Sequence, residues 1–176
     1  SQLVPPDDID MVILSGDESH SKIPAINSNE LLDFLEWFNW LPYQHKIWVA
    51  GNHSTAIEAR LIRPLKYIAE KEFNIHYLEN SGIEIEGINI WGSPYTPTFS
   101  TGWAFNRDRS KLHKTWGLIP KNTNILVTHG PPHGILDFAT DYASTGRIDG
   151  CKCLLREVKK IQPKYHIFGH MHEQGG

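Results

Sequence analysis

The feature that most constrains the fold is a set of four short apolar runs, each of which ends at a glycine or histidine turn. The runs cover residues 10–15, 46–50, 124–128 and 165–168. Short apolar runs bounded by turn residues are typical of buried strands. Because segments with helical spacing lie between them, the sequence predicts an α/β fold.

Two longer segments between these runs have the apolar spacing of helices. The first covers residues 27–40, and Asn27 or Ser28 is its expected N-cap. The second covers residues 55–73, where Pro64 is expected to break or restart the helix. Further predicted elements are a tight hairpin over 83–91, a short helix over 107–116 and an amphipathic helix over 152–161.

Composition narrows the class of protein. A chain of 176 residues predicts a single domain over 1–176 with a sizeable core. A net charge of −3 gives no broad attraction to nucleic acid polymers or anionic membranes, so neither is expected as a partner.

The two cysteines are too close in sequence to bridge readily, and free thiols favour a cytoplasmic protein. The ten histidines direct attention to metal binding.

Polar side chains follow each of the four predicted strands. In open α/β sheets, sites form beyond the carboxyl ends of the strands, so these side chains are expected to converge on one rim. Imidazole and carboxylate groups together suit borderline metals such as zinc, iron, manganese or nickel. The residues concerned are Asp17, Asn52, His53, His129, His170 and His172.

Such a rim suits hydrolysis of a phosphate ester. Two divalent cations about 3.5–4 Å apart can grip a phosphoryl group and lower the pKa of a shared water, which then attacks as hydroxide. The cations would supply the positive charge that the composition lacks. The sequence offers no convincing Ser-His-Asp or Cys-His arrangement for a covalent mechanism.

The motifs at the strand ends resemble those of the calcineurin-like metallophosphoesterase superfamily. They are Gly16-Asp17, Gly51-Asn52-His53, Thr128-His129-Gly130 and Gly169-His170-Met171-His172. Two longer stretches, residues 91–106 and 162–170, are similar to the branch called metallophosphoesterase-domain-containing proteins. The likeness runs from about Asp10 to the end of the sequence.

The resemblance implies a role for each metal-ligating candidate. Asp17 would bridge two divalent metal ions, and Asn52, His129 and His170 would complete the second site. His172 would bind the first. The resemblance also implies the family fold, two packed mixed β-sheets flanked by helices in an α/β/β/α sandwich.

The resemblance assigns His53 to the substrate. It would stabilise the phosphoryl oxygens or protonate the leaving oxygen, for which a side chain titrating near neutral pH is suited. The next residue is Ser54, where the family often has an acidic residue. A carboxylate commonly orients a histidine in such sites, and a serine hydroxyl accepts a hydrogen bond but stabilises an imidazolium less well.

The sequence departs from the family at its start. No Asp-x-His motif occurs in it, although the family uses that motif to bind the first metal. The domain is therefore expected to be truncated at both ends, and the motif either lies upstream or is missing from the protein. If it is missing, strong binding is expected at one metal site at most.

Three functions remain open. The first is a phosphodiesterase acting on a small phosphate ester; a cyclic nucleotide is a candidate on the resemblance alone. The second is a protein phosphatase. The third is a non-catalytic module that binds a nucleotide or a partner protein. The aromatic residues Tyr95, Trp103 and Phe105 would stack on a nucleobase in the first case, or they belong to the core.

Overall fold

Short strands and helices alternate along most of the chain. The computed structural model describes residues 8–62, 65–140 and 146–174. The strands are β1 Met11–Ser15, β2 His45–Val49, β3 His76–Tyr77, β4 Ser81–Ile85, β5 Ile88–Ser93, β6 Thr96–Pro97, β7 Asn106–Arg107, β8 Ile125–Thr128, β9 Phe138–Thr140, β10 Gly146–Ile148 and β11 Tyr165–Phe168. The helices are α1 Pro24–Trp40, α2 Thr55–Glu58, α3 Leu65–Glu72, α4 Leu112–Trp116 and α5 Lys152–Ile161, with a 3-10 turn at His172–Gln174.

The strands form two main sheets. The first has the order β1-β2-β3 and is parallel throughout. The second has the order β11-β8-β5-β4, in which β4 is antiparallel to β5 and the other neighbours are parallel. Two pairs of short strands, β6–β7 and β9–β10, lie outside these sheets.

The two sheets pack face to face, and helices cover their outer faces. Side chains alternate along a strand, so Ile47 and Val49 of β2 meet Ile90 and Val127 of the second sheet. The intervening Trp48 faces the other way, into a cluster with the α1 helix. Leu112 and Trp116 of α4 and Leu154 of α5 pack against the second sheet through Trp91 and Leu126. The predicted α/β fold with two packed sheets and flanking helices is confirmed, and the mixed sheet is the four-stranded one.

The α1 helix begins earlier than its apolar spacing indicates. Pro24 occupies the first turn, where its fixed φ favours a helix start, and the N-cap is Ile23 without a side-chain hydrogen bond. The prediction of an N-cap at Asn27 or Ser28 is therefore wrong, because both residues lie inside the helix. The carboxamide of Asn27 is instead committed to tertiary hydrogen bonds described below.

The other predicted elements agree more closely with the structure. The hairpin is confirmed, and Glu86 and Gly87 both have positive φ at its turn, as a tight hairpin turn requires. The segment 55–73 divides into α2 and α3, while Pro64 lies outside the described residues. Within the described ranges, none of the helices is both long enough and apolar enough to cross a membrane.

Candidate metal centre

The ends of β1, β2, β8 and β11 bring four of the six candidate site residues together. The register places Ser15 beside Val49 and Phe168 beside Thr128, so the loops that follow start at the same rim. Among the described residues, the ligand atoms of Asp17, His129 and His170 lie within 4.8 Å of one another. Asn52 lies among them, and its side chain is buried.

Oxygen and nitrogen atoms converge at the centre of this group. The carboxamide Oδ1 of Asn52 is 2.7 Å from Nε2 of His129 and 2.7 Å from Nδ1 of His170. The carboxylate Oδ1 of Asp17 is 3.5 Å from Nε2 of His129. One carboxylate, one carboxamide and two imidazoles therefore point into one small space.

The protonation of His129 shows that this space suits a cation. Its Nδ1 is 2.9 Å from the carbonyl oxygen of Ser15, which can only accept, so Nδ1 carries the hydrogen. In the neutral ring, Nε2 then has a lone pair, which faces the oxygens of Asn52 and Asp17. A divalent cation between these atoms would turn the facing lone pairs into ligands, and the donor set is one that borderline metals take.

Both imidazoles are held in the neutral form. Burial lowers the pKa of His129, and the nearby Asp17 carboxylate opposes this effect without reversing it. Burial also lowers the pKa of His170 to about 3, and His129 adds to the shift. The 3.5 Å approach of His129 to Asp17 is therefore not a conventional ion pair, and neutral imidazole is the form that binds metal.

Two glycines allow the close approach of these groups. A side chain at Gly16 would overlap the ring of His129, and the φ of Gly16 is +107°. A Cβ atom at Gly51 would lie 2.5 Å from Oδ1 of Asp17 and 2.7 Å from Cε1 of His129. Asp17 and His170 themselves have φ values of 54° and 73°, and such backbone conformations concentrate at functional sites.

His53 borders this cluster. Its backbone N–H donates to Oδ1 of Asp17 at 3.2 Å, which helps to orient that carboxylate. Its ring Nδ1 lies 3.2 Å from the carbonyl oxygen of His20, and the rings of His20 and His53 stack with centroids 5.7 Å apart. The residue is half-buried.

His172 is the candidate ligand that the structure does not bring into the cluster. An extended backbone would direct the side chains of His170 and His172 to the same side. The positive φ of His170 and the 3-10 turn that begins at His172 break that alternation. His172 is exposed, although its charge still influences the pKa of both His129 and His170. Its assignment as a metal ligand stays a prediction.

The aromatic residues divide between the core and the site. Phe105 is buried and packs edge to face with Tyr95, so these two belong to the core. Trp103 lies edge-on to His53 with centroids 4.6 Å apart. Phe99, which the sequence analysis did not single out, lies between Trp103 and His170, with centroids 5.9 Å and 5.1 Å from them.

The hydroxyl of Ser54 does not orient His53. It accepts a hydrogen bond from the N–H of Gly51 at 2.9 Å and donates to Glu18 at 2.9 Å. The pKa of Glu18 is raised to about 7. Burial is the largest cause, and the hydrogen bond from Ser54 partly offsets it. Ser54 and Glu18 thus brace the loop that carries Asn52.

The α1 helix supplies two further contacts that the sequence analysis missed. Asn27 is fully buried and bonds to the loops on both sides of the site, and Glu30 accepts two backbone hydrogen bonds from the loop after Asp17. A signal was present in the sequence, because Asn27 is a polar residue at a position of the helix where the apolar spacing indicates burial.

Comparisons with known proteins agree with this geometry. The family model for calcineurin-like phosphoesterases matches residues 1–174. Human metallophosphoesterase domain-containing protein 1 is 36% identical over 188 residues, which cover 95% of this chain and 55% of the human protein. A UPF0046 protein of Caenorhabditis elegans is 36% identical over 180 residues, 96% of this chain and 58% of the relative. The chain thus spans somewhat more than half the length of these relatives.

A solved structure also shares the fold. A crystal structure of a protein that is 17% identical in sequence superposes on this chain with a TM-score of 0.63. The match covers 84% of this chain and 59% of the chain in that structure. At that identity the likeness concerns the fold alone. The family-model match, together with the curated relatives, shows that the chain belongs to the calcineurin-like phosphoesterase family.

Proposed function

We propose that this chain carries the catalytic centre of a metal-dependent phosphodiesterase that acts on small phosphate esters. The observation that carries the proposal is the convergence of Asp17, Asn52, His129 and His170, in which the Nε2 lone pair of His129 faces the oxygens of Asn52 and Asp17. Family membership supports hydrolysis of a phosphoester. The choice of a diester, and the activity of the whole protein, are part of the proposal.

In this proposal, Asp17, Asn52, His129 and His170 hold a divalent cation. A second cation would share Asp17 and take His172, which is supported by the family resemblance of the motifs. When bound, such cations neutralise phosphoryl oxygens and make water a nucleophile near neutral pH. Manganese, iron, zinc and nickel all suit these ligands.

The residues of the chain prepare the site for that chemistry. The carbonyl of Ser15 holds the hydrogen of His129 on Nδ1, and this directs Nε2 toward Asp17. The carbonyl of His20 accepts from Nδ1 of His53 in the same way. His53 is then able to hold a proton on its Nε2 and deliver it to the leaving oxygen of the ester.

Hydrolysis assays on the purified protein test this function. The substrates are bis-p-nitrophenyl phosphate, p-nitrophenyl phosphate and a phosphoserine peptide, each with and without added manganese. We expect metal-dependent turnover that is fastest for the diester and is lost in His129→Ala. Faster turnover of the peptide would favour a protein phosphatase, and tight metal binding without turnover of any ester would favour a binding module.

The binding module is favoured by one observation, the exposure of His172 away from the other ligands. The substitution His53→Ala separates this alternative from an enzyme. For an enzyme, turnover falls while metal binding is retained. For a binding module, the substitution leaves the measured function unchanged.

A further inference from the structure

The loop that follows Asp17 lies against His53. The carbonyl of His20 accepts a hydrogen bond from Nδ1 of His53 at 3.2 Å, and the imidazole of His20 stacks on that of His53 at an interplanar angle of 20°. On another side, the ring of His53 meets the edge of Trp103. The orientation of the His53 ring therefore depends on where the backbone of His20 is held.

Glu30 of α1 holds that backbone. Its Oε2 accepts hydrogen bonds from the N–H of His20 at 2.9 Å and from the N–H of Ser21 at 2.8 Å. These backbone donors, Ser21 foremost, lower the pKa of Glu30. A charged acceptor makes such bonds stronger than a neutral one does.

The α1 helix is a firm base for this contact. It packs its inner face into the core through Leu31, Leu35 and Phe38, all of which are buried. One turn before Glu30, Asn27 donates from its Nδ2 to the carbonyl oxygens of Ser21 and His53 at 2.9 Å each. The same Nδ2 lies 2.8 Å from Oγ of Ser19, so the helix holds the loop on both sides of His20.

We propose that Glu30 is a positioning residue for His53, acting through the backbone of His20 to fix the hydrogen of the imidazole on Nδ1. The inference rests on the proposed function for its catalytic consequence. Glu30 thereby orients His53, a role that Ser54 does not take, because the hydroxyl of Ser54 is hydrogen-bonded to Gly51 and Glu18. With the hydrogen of Nδ1 committed to a carbonyl, Nε2 is the nitrogen that takes up a second proton. The imidazolium transfers that proton from Nε2 to the leaving oxygen, and the neutral ring that remains keeps its hydrogen on Nδ1.

Replacement of Glu30 is expected to change how strongly kcat depends on the leaving group. Proton transfer to the leaving oxygen matters more for a basic leaving group than for a weakly basic one, and general acid catalysis contributes about 10²- to 10⁴-fold. In Glu30→Ala we expect kcat for diphenyl phosphate to fall about tenfold more than kcat for bis-p-nitrophenyl phosphate. KM and the affinity for manganese are expected to stay close to those of the parent protein.

Two further variants make the kinetic test sharp. Glu30→Gln keeps an acceptor oxygen in place and is expected to recover activity to within about threefold. Glu36→Ala removes an exposed carboxylate from the same helix and serves as the matched control, with no change expected. In a His53→Ala background, Glu30→Ala should have no further effect on the leaving-group dependence, because the group that it positions is gone.

The position of the ring hydrogen of His53, which can be measured without turnover, tests the positioning role of Glu30 independently. Two-bond ¹H–¹⁵N correlation spectra of the metal-free protein at about pH 8.5, where a free imidazole is neutral, report which ring nitrogen carries the hydrogen. We expect His53 to carry it on Nδ1 in the parent protein and in Glu36→Ala, and to show averaged signals in Glu30→Ala.

The two failures are distinguishable. A parent protein that hydrolyses no ester, while His53 keeps its hydrogen on Nδ1 in a Glu30-dependent manner, overturns the proposed function and leaves the positioning role intact. A hydrogen on Nε2 in the parent protein, or identical His53 spectra with and without Glu30, overturns the positioning role whatever the activity. An equal loss of kcat for both diesters in Glu30→Ala likewise overturns it.

Discussion

Replacement of Gly51 by alanine tests how closely the candidate ligands approach one another. The new Cβ would lie 2.5 Å from Oδ1 of Asp17, 2.6 Å from its backbone nitrogen and 2.7 Å from Cε1 of His129. Ordinary contact begins at 3.4 Å, so these groups must separate by up to about 0.9 Å. His129 is buried, at 1% exposure, and the overlap includes the backbone nitrogen of Asp17, so we expect the carboxylate and the backbone of Asp17 to be displaced.

The expected effects follow from that displacement. Overpacking of this kind destabilises a protein by about 1–3 kcal/mol, which in a chain of this size lowers Tm by about 3–10 °C. Displacing a ligand by this much should weaken manganese binding by at least about a hundredfold. The assays are thermal unfolding of the metal-free protein and calorimetric titration with manganese.

Gly169→Ala provides the matched control. Gly169 lies at the same rim, and a Cβ there would meet its nearest neighbour, the carbonyl oxygen of Ser15, at an ordinary 3.4 Å. We expect stability and metal affinity close to those of the parent protein. The reasoning is refuted if Gly51→Ala matches Gly169→Ala in both Tm and manganese affinity.

Three further predictions concern the site and its support. Burial lowers the pKa of His166 to about 4, below its ordinary value of 6.5, so stability should fall as the pH drops through this window. Urea unfolding of the metal-free protein at pH 7 and pH 4.5 should show a loss in the free energy of unfolding, to which the buried His129 and His170 also contribute. The loss should be smaller by up to about 3 kcal/mol in His166→Gln, and equal losses in the two proteins would contradict this. Asn27→Ala leaves the N–H of Ala56 without its acceptor and removes the side-chain hydrogen bonds to the carbonyls of Ser21 and His53. It should reduce the free energy of unfolding by about 2–4 kcal/mol, measured by urea unfolding; a loss below about 1 kcal/mol would contradict this. Saturating manganese should raise the Tm of the parent protein and not that of His129→Ala; an equal rise in both would place the binding elsewhere.

The main strands and helices were predictable because they depend on patterns that are local in the sequence. The apolar runs that became β1, β2, β8 and β11 each end at a glycine or histidine turn, and the amphipathic period over 152–161 matches α5 residue for residue. The two-residue strand β3 was not predicted, since so short a strand has no periodicity to detect. Its pairing with β2 is a property of the tertiary structure.

The candidate site was predictable to the extent that it depends on strand ends. Asp17, Asn52, His129 and His170 each lie within three residues of the end of a strand, so sheet geometry was enough to bring them together. His172 lies beyond a residue with positive φ, and local sequence does not signal that change of direction.

The supporting residues of the site could not be predicted in the same way. Asn27 bonds to a segment that is distant in sequence, at His53 and Ala56, and Glu30 bonds to the backbone of the loop that precedes its own helix. Asn27 resembled an N-cap because that residue type is favoured at helix starts. The structure uses its carboxamide for hydrogen bonds that only the folded arrangement of three segments makes possible.

Anomalous diffraction from crystals soaked in manganese locates the metal on the molecule. We expect a peak bounded by Oδ1 of Asp17, Oδ1 of Asn52, Nε2 of His129 and the His170 ring, at about 2.0–2.3 Å from its ligands. We also expect the peak to disappear in His129→Ala. A manganese peak elsewhere on the molecule, with none between these four side chains, would contradict the assignment of this rim as the metal centre.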